Sequence, residues 1–296
     1  MKRRFFTLDV FTDTPLSGNP LAVVLDADGL DGARMQAVAR EFNLSETVFV
    51  LEPKDPINTA RVRIFTPGRE LPFAGHPTVG TAVLIAEQRA PEMIGRQDLS
   101  IVLEEEIGDV GCIVRRQRGR TRASFTLPRL PLPAGEPPAV PDLARALSIE
   151  AGDIGFGGHR PVRLSAGVPF TLVPLNSIEA VDRARPDMAH WPDDLETFVY
   201  ARAEAETALV FHARMFAPTF GIPEDPATGS AVAAFSGILP QAEGLGDGDH
   251  TITIRQGFAM GRPSLITLGL DIEKGGLASA SIGGHAVVVT DGTLYL

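Results

Sequence analysis

With 296 residues, 44% hydrophobic and 22% charged, the chain is long enough for one large domain or two ordinary ones and apolar enough to bury a core. A formal charge of −10 at pH 7 argues against non-specific nucleic-acid binding, because a phosphate backbone attracts a basic face. A single cysteine excludes an internal disulfide and fits a reducing cytoplasm, and no apolar run approaches the roughly 18 residues of a membrane span.

MKRRFFTLDVFT at the N-terminus is basic and then alternates, so it lacks the apolar core of a signal peptide; a cytoplasmic protein is expected. FFTLDVF (5–11), LAVVL (21–25), ETVFVL (46–51) and VRIF (62–65) read as half-buried antiparallel strands, as do SIVLEE (100–105) and RASFTL (122–127). Between them, DGARMQAVAREFN (31–43) has apolar residues at helical spacing and predicts an outer amphipathic helix. GTAVLIAE (80–87) and GSAVAAFSGIL (229–239) are apolar or small nearly all round, which predicts helices buried on every face. Among curved strands, such a helix is central, with a sheet wrapped around it.

The chain repeats itself. GHPTVGTAV (75–83) matches EDPATGSAV (224–232), and RIFTP (63–67) before the first matches RMFAP (214–218) before the second. SGNPLAVV (17–24) matches AGVPFTLV (166–173); Gly18 and Gly167, like His76 and Asp225, stand 149 positions apart. ETVFV at Glu46 matches ETFVY at Glu196 more loosely. Residues 128–141, PRLPLPAGEPPAVP, carry six of the 24 prolines and predict an extended linker. The expected division is therefore a first domain over 1–127, joined by a returning strand 284–296, a linker 128–141, and a second domain over 142–283. Packed by pseudo-twofold symmetry, the two halves would turn both helix N-termini toward one cleft.

Residue counts remove several chemistries. The three lysines (Lys2, Lys54, Lys274) stand at the terminus or in turn-like contexts, which disfavours a buried Schiff base. The six histidines show no i, i+4 pair and no cysteine company, so no metal site is expected. Neither glycine-rich nucleotide motif occurs. What remains is the helix start. Its unpaired N–H groups and partial positive charge suit a carboxylate or phosphate, and Gly80-Thr81 and Gly229-Ser230 would let a ligand approach the backbone. Asp225 before Pro226 also reads as a simple helix cap, and His76 also reads as a packed core residue.

SETVFV, FAGHPTVGTA and EDPATGSA, with DVFTDTPLSGNPLAVVL (9–25) and IRQGFAMGRPS (254–264), resemble the PhzF-like isomerase family of phenazine biosynthesis, in order and over nearly the whole chain. The resemblance implies an α+β, diaminopimelate-epimerase-like fold: two pseudo-symmetric domains, each a curved, mostly antiparallel sheet around a central buried helix. It implies a cofactor-independent enzyme acting on a small anionic substrate, and a homodimer. Glu46 would be the proton shuttle between two carbons. His76, Asp225 and Ser230 would hydrogen-bond the substrate around the reacting carbons, and backbone N–H groups near Gly75 and Gly229 would hold it. Asn19 would line the cleft or form its turn.

The chemistry suits these types. A carboxylate partly desolvated in a closed cleft can take a proton from one carbon and return it to another, and preorganised donors stabilise the charge that develops. Glu196, without the preceding serine, reads as structural, as does Arg262 at a tight turn. A lone Cys112 excludes the two-thiol mechanism of related racemases and reads as a small core hydrophobe. Two other functions fit the same residues: an amino-acid-type racemase or epimerase, with Asp225 or His76 opposite Glu46, and a small-molecule binder without catalysis.

Overall fold

Alternation does shape the first strands. β1 (Lys2–Val10) runs antiparallel to β2 (Asn19–Val24), with Phe5 opposite Val24 and Val10 opposite Asn19. Asp31 then caps helix α1 (Gly32–Phe42) by accepting the Arg34 N–H at 2.7 Å, and Asn43 ends it at φ 52, the left-handed conformation asparagine tolerates. Helix α1 covers a cluster of Val24, Met35, Val38, Phe49 and Phe65, where the two phenyl rings meet edge to face at 5.5 Å. Burying one such side chain contributes roughly 2 kcal/mol. β3 (Glu46–Leu51) returns parallel to β2, and β4 (Ala60–Phe65) and the short β5 (Glu70–Leu71) follow antiparallel.

Helix α2 (Gly75–Arg89) is the buried helix expected from GTAVLIAE, extended back to Gly75; every residue from 75 to 86 is buried. It packs against β1, β2, β3, β6 (Leu99–Glu105), β7 (Gly108–Gln117) and β8 (Arg120–Thr126), with the single turn α3 (Pro91–Ile94) between α2 and β6. Gly80 allows the close fit: a Cβ there would fall 2.6 Å from Leu21 Cδ2 and 2.7 Å from Val10 Cγ2.

The structure is a computed structural model and describes residues 1–204 and 208–296. By contact it divides into Met1–Thr126 with Gly283–Leu296, and Leu127–Ile282. The second unit begins at Leu127, so it takes in the whole proline-rich run, which is not a bare linker. β9 (Leu132–Pro133) pairs with β10 (Val162–Ser165), and helix α4 (Val140–Ala146) starts before the run ends, using Pro141 in its first turn, where a missing N–H costs nothing.

From β10 onward the pairing pattern of the first unit recurs. β11 (Pro169–Pro174) is antiparallel to β10, helix α5 (Ile178–Arg183) follows, and β12 (Thr197–Ala203) returns parallel to β11. β13 (Leu209–Ala217) and β14 (Ile222–Asp225) are antiparallel, as β4 and β5 are. Helix α6 (Gly229–Phe235) and the turn α7 (Leu239–Ala242) come next. β15 (Gly248–Gln256) lies parallel to β13 and antiparallel to β16 (Ser264–Glu273), just as β6 lies parallel to β4 and antiparallel to β7.

The pairings are mostly antiparallel; among the described residues each unit also holds two parallel pairs, because a helix crossover between the paired strands brings the second back in the same direction. But 229–239 is not one long helix. After Phe235 it tightens into i→i+3 turns (Gly237 N–H to Ala234 O, Ile238 N–H to Phe235 O), and Pro240 has no N–H to continue it. The last strand, β17 (Gly276–Tyr295), pairs along β1 from Tyr295 opposite Lys2 to Ala286 opposite Val10.

Candidate functional site

In the first unit, three elements bring three polar side chains together. β2 opens with Asn19, the parallel β3 opens with Glu46 one strand over, and α2 opens with Gly75 and His76. Asn19 is fully buried, His76 is 5% exposed, and the Glu46 side chain is 12% exposed. The Asn19 amide nitrogen lies 3.3 Å from His76 Nδ1. An amide N–H has only a donor to offer, so Nδ1 accepts and the neutral ring carries its proton on Nε2. That atom is 3.2 Å from Glu46 Oε2. The hydrogen is not aligned on the oxygen, so the contact is a close approach rather than a formed hydrogen bond, a geometry common before substrate binds.

Burial pushes the His76 pKa down to about 3, so the ring is neutral near pH 7. A neutral imidazole cannot serve as an imidazolium acid; it can donate one hydrogen bond from Nε2, to Glu46 or to a ligand oxygen. Asn19, expected at the cleft wall or in a turn, is buried with its amide nitrogen against Nδ1 of the ring, and so fixes the tautomer.

The second unit groups Asp225, Gly229 and Ser230. Asp225 is the last residue of β14, opposite Met215 across a register shift in β13, and is 6% exposed. It is not the helix cap: that position is Thr228, which makes no side-chain capping bond. The Thr228 hydroxyl donates to Asp225 Oδ2 at 2.5 Å instead. Gly229 is buried and Ser230 half-buried on the first turn of α6. At seven residues, α6 is too short to be an anion site on its dipole alone.

Two residues outside the expected set hold this loop. Gln256, fully buried at the end of β15, bonds both the backbone and the side chain of the Asp225–Thr228 turn. Gly257 follows at φ +78, and a Cβ on it would fall 2.6 Å from Pro226 O and 2.3 Å from Arg262 O. The Gln-Gly of IRQGFAMGRPS is therefore what lets β15 close on EDPAT; the motif is visible in the sequence, its partner is not. Arg262 closes the same turn through its backbone, its N–H reaching Gly257 O at 3.0 Å.

An arginine fork braces each half from behind. Arg63 on β4 grips Glu70 of β5 at 2.6 and 2.7 Å, and Arg214 on β13 grips Glu224 of β14 at 2.8 Å through both nitrogens. These are the repeated arginines of RIFTP and RMFAP.

Cys112 is fully buried and its thiol pKa is raised by burial and then by the Glu105 carboxyl, so it carries no thiolate. His159 is held between the Tyr200 hydroxyl at 3.0 Å and Glu243 at 2.9 Å, a packed core histidine. Among the described residues, no three His, Cys, Asp or Glu side chains gather as a metal ion would require, and no helix is long and apolar enough to cross a membrane.

A family model described as phenazine biosynthesis-like protein, PhzC-PhzF, matches residues 8–292. The chain belongs to that family. With membership comes its enzyme class, isomerase. An uncharacterized isomerase of Mesorhizobium japonicum is 47% identical, covering 99% of both chains. The trans-2,3-dihydro-3-hydroxyanthranilate isomerase of Pseudomonas aeruginosa is 34% identical over 99% of both. The crystal structure of a Bacillus anthracis phenazine biosynthesis protein of the PhzF family superposes with TM-score 0.87 at 25% identity, covering 100% of each chain. The mixed α/β fold of many strands and few helices is thus the family's own.

Proposed function

We propose that this PhzF-family isomerase moves a proton between carbons of a small carboxylate-bearing substrate without a cofactor, and that Glu46 carries the proton. The observation behind this reading is the Asn19–His76–Glu46 arrangement. A buried amide fixes a neutral imidazole whose N–H, on Nε2, lies 3.2 Å from a carboxylate oxygen of low exposure. The Glu46 carboxylate takes a proton from a carbon next to an electron-withdrawing group, leaving the electron pair spread into that group. The His76 Nε2–H donates to the oxygen on which the negative charge grows. The Glu46 carboxylic acid then gives the same proton to a second carbon, so nothing is gained or lost overall. Asp225 and Ser230, with the N–H groups near Gly75 and Gly229, hold the substrate's polar groups.

The similarity to the Pseudomonas aeruginosa enzyme makes trans-2,3-dihydro-3-hydroxyanthranilate a first compound to try. The test is deuterium wash-in from heavy water, scored by mass spectrometry over a panel of small carboxylates. Wild type and Glu46→Gln are compared on whichever compound exchanges. The variant is expected to lose about 100-fold or more, the scale of a lost general base. Exchange at the wild-type rate would overturn the assignment of Glu46.

A further inference from the structure

The turn that presents Asp225 is held by an amide whose orientation is not open to choice. Gln256 Nε2 stands 2.8 Å from Asp225 O and 2.9 Å from Thr228 Oγ1, and Gln256 Oε1 stands 3.1 Å from the Thr228 backbone nitrogen. Flipping the amide would set its oxygen against the Asp225 carbonyl and its NH2 against the Thr228 N–H, two contacts with no hydrogen or two hydrogens between them. The observed orientation is therefore forced. Both Gln256 amide hydrogens are committed, one to a backbone carbonyl and one to the threonine hydroxyl.

That commitment decides the next bond. With its oxygen accepting from Gln256, the Thr228 hydroxyl directs its own hydrogen to Asp225 Oδ2, 2.5 Å away. The sequence of donors runs one way, from Gln256 through Thr228 to Asp225. All three side chains are at least nine-tenths buried, so water does not compete for these bonds.

We propose that Gln256 and Thr228 are positioning residues for Asp225, a one-way relay that pins Oδ2 as an acceptor and so fixes the plane in which the carboxylate is presented to substrate. This rests on the proposal that Asp225 serves the isomerase site. Gln256 acts from the end of a strand rather than from a loop, which makes the aim rigid: β15 is fixed by β16 from Gly248 to Gln256 and by β13 from Ile252 to Arg255. The glycine after it is the device that lets this strand end approach the EDPAT backbone.

The experiment has two arms. The first uses activity, as deuterium wash-in, for Thr228→Val, Thr228→Ser and Gln256→Glu beside Glu46→Gln. Valine keeps the shape of threonine but has no hydroxyl, so kcat is expected to fall roughly tenfold to a hundredfold, the cost of a misplaced group. Serine, which keeps the donor, should restore most of the loss. In Gln256→Glu the ionised carboxylate has no hydrogen for Asp225 O or Thr228 Oγ1 and draws the hydroxyl to itself. The activity of this variant should recover as the pH is lowered and the introduced carboxylate regains a proton, a rise absent from wild type. A wild-type kcat and pH profile in Thr228→Val and Gln256→Glu, with Glu46→Gln inactive, would overturn the relay.

The second arm does not depend on activity. With selectively 15N-labelled glutamine, both side-chain hydrogens of Gln256 should exchange with solvent at least about tenfold more slowly than those of the exposed Gln97 and Gln117, because both are bonded and buried. In Thr228→Val one of the two should lose that protection. Equal exchange for Gln256 and the exposed glutamines would overturn the relay even if the isomerase reading stands. A protected Gln256 with no activity difference between wild type and Glu46→Gln would overturn the assignment of Glu46 as proton carrier and leave the relay as found.

Discussion

Replacing Glu105 by glutamine should stabilise the protein at pH 8 and not at pH 5. Glu105, at the end of β6, is 8% exposed, and its Oε1 lies 2.7 Å from the Thr78 hydroxyl. The same hydroxyl lies 2.7 Å from Ala74 O. One hydroxyl hydrogen cannot serve two acceptors; if it goes to the carbonyl, Glu105 must bring a proton of its own. Burial acts in the same sense and pushes the Glu105 pKa from 4.5 up to about 8. The folded state thus keeps a proton that the unfolded chain releases above about pH 4.5. From there to about pH 8 stability falls as pH rises, by about 1.4 kcal/mol per unit, and it levels off once the folded state also ionises. At pH 7.5 the accumulated cost is about 4 kcal/mol. Glutamine is neutral at every pH, and its NH2 can donate to Thr78 as the carboxylic acid does. Denaturant unfolding of wild type and Glu105→Gln at pH 5, 6, 7, 8 and 9 reads the difference directly, and contributions common to both, including that of His76, cancel. A difference that stays constant from pH 5 to pH 8 would refute the argument, since it would mean that Glu105 is ionised throughout.

His76 gives the opposite slope. Its folded pKa, about 3, lies below its ordinary 6.5, so the unfolded chain takes up a proton first as pH falls. The His76 contribution is fully present above pH 6.5 and should drop toward pH 3 by about 1.4 kcal/mol per unit; the stability of wild type relative to His76→Gln, read by thermal unfolding at pH 7 and pH 4, should fall with this slope, the opposing Glu105 contribution being common to both. Arg214→Lys should cost about 2–3 kcal/mol in urea unfolding, somewhat below the loss of a whole buried partner, because one ammonium cannot serve both Glu224 oxygens and the Val181, Asp182 and Ala184 carbonyls that the guanidinium reaches. An unchanged midpoint would show that the fork is dispensable.

The sequence carries the secondary structure where one signal dominates. Asp31, the helical spacing of Met35, Val38 and Ala39, and Asn43 define α1 within a residue at each end. The all-apolar run after Gly80 defines α2, though its first turn begins five residues earlier, because Gly75 and His76 carry no helical pattern of their own. The parallel pairs escape an alternating reading for a reason that can be named. LAVVL and TVFVL are continuous apolar runs, which two-sided burial between neighbours produces, and such runs carry no mark of strand direction. Glu105 is hidden differently: alternation in SIVLEE puts it on the face of Ile101 and Leu103, but a carboxylate beside a second glutamate reads as the solvated end of the strand, whereas both Glu104 and Glu105 are buried. Of the candidate site, residues within one motif can be read together. Asn19 with His76 and Gln256 with Thr228 cannot, because a hydrogen bond across 57 or 28 residues leaves no spacing to detect.

The repeat also shows why its two copies carry different supports. A buried neutral imidazole needs one nitrogen satisfied as an acceptor, and a single amide does this: Asn19, from the strand beside Glu46, is enough for His76. A buried carboxylate accepts only, and each oxygen taken out of water needs a donor. Asp225 accordingly draws on a hydroxyl three residues away, and that hydroxyl is in turn held by an amide on β15. An aspartate at the duplicated position is thus supported by a threonine and a glutamine. The first copy has Val79, not a hydroxyl residue, at the place of Thr228, and His76 there has no use for one. The difference between GHPTVGTAV and EDPATGSAV is thus a difference in what each buried side chain must be given: a donor to one ring nitrogen in the first half, a hydroxyl donor itself oriented by an amide in the second.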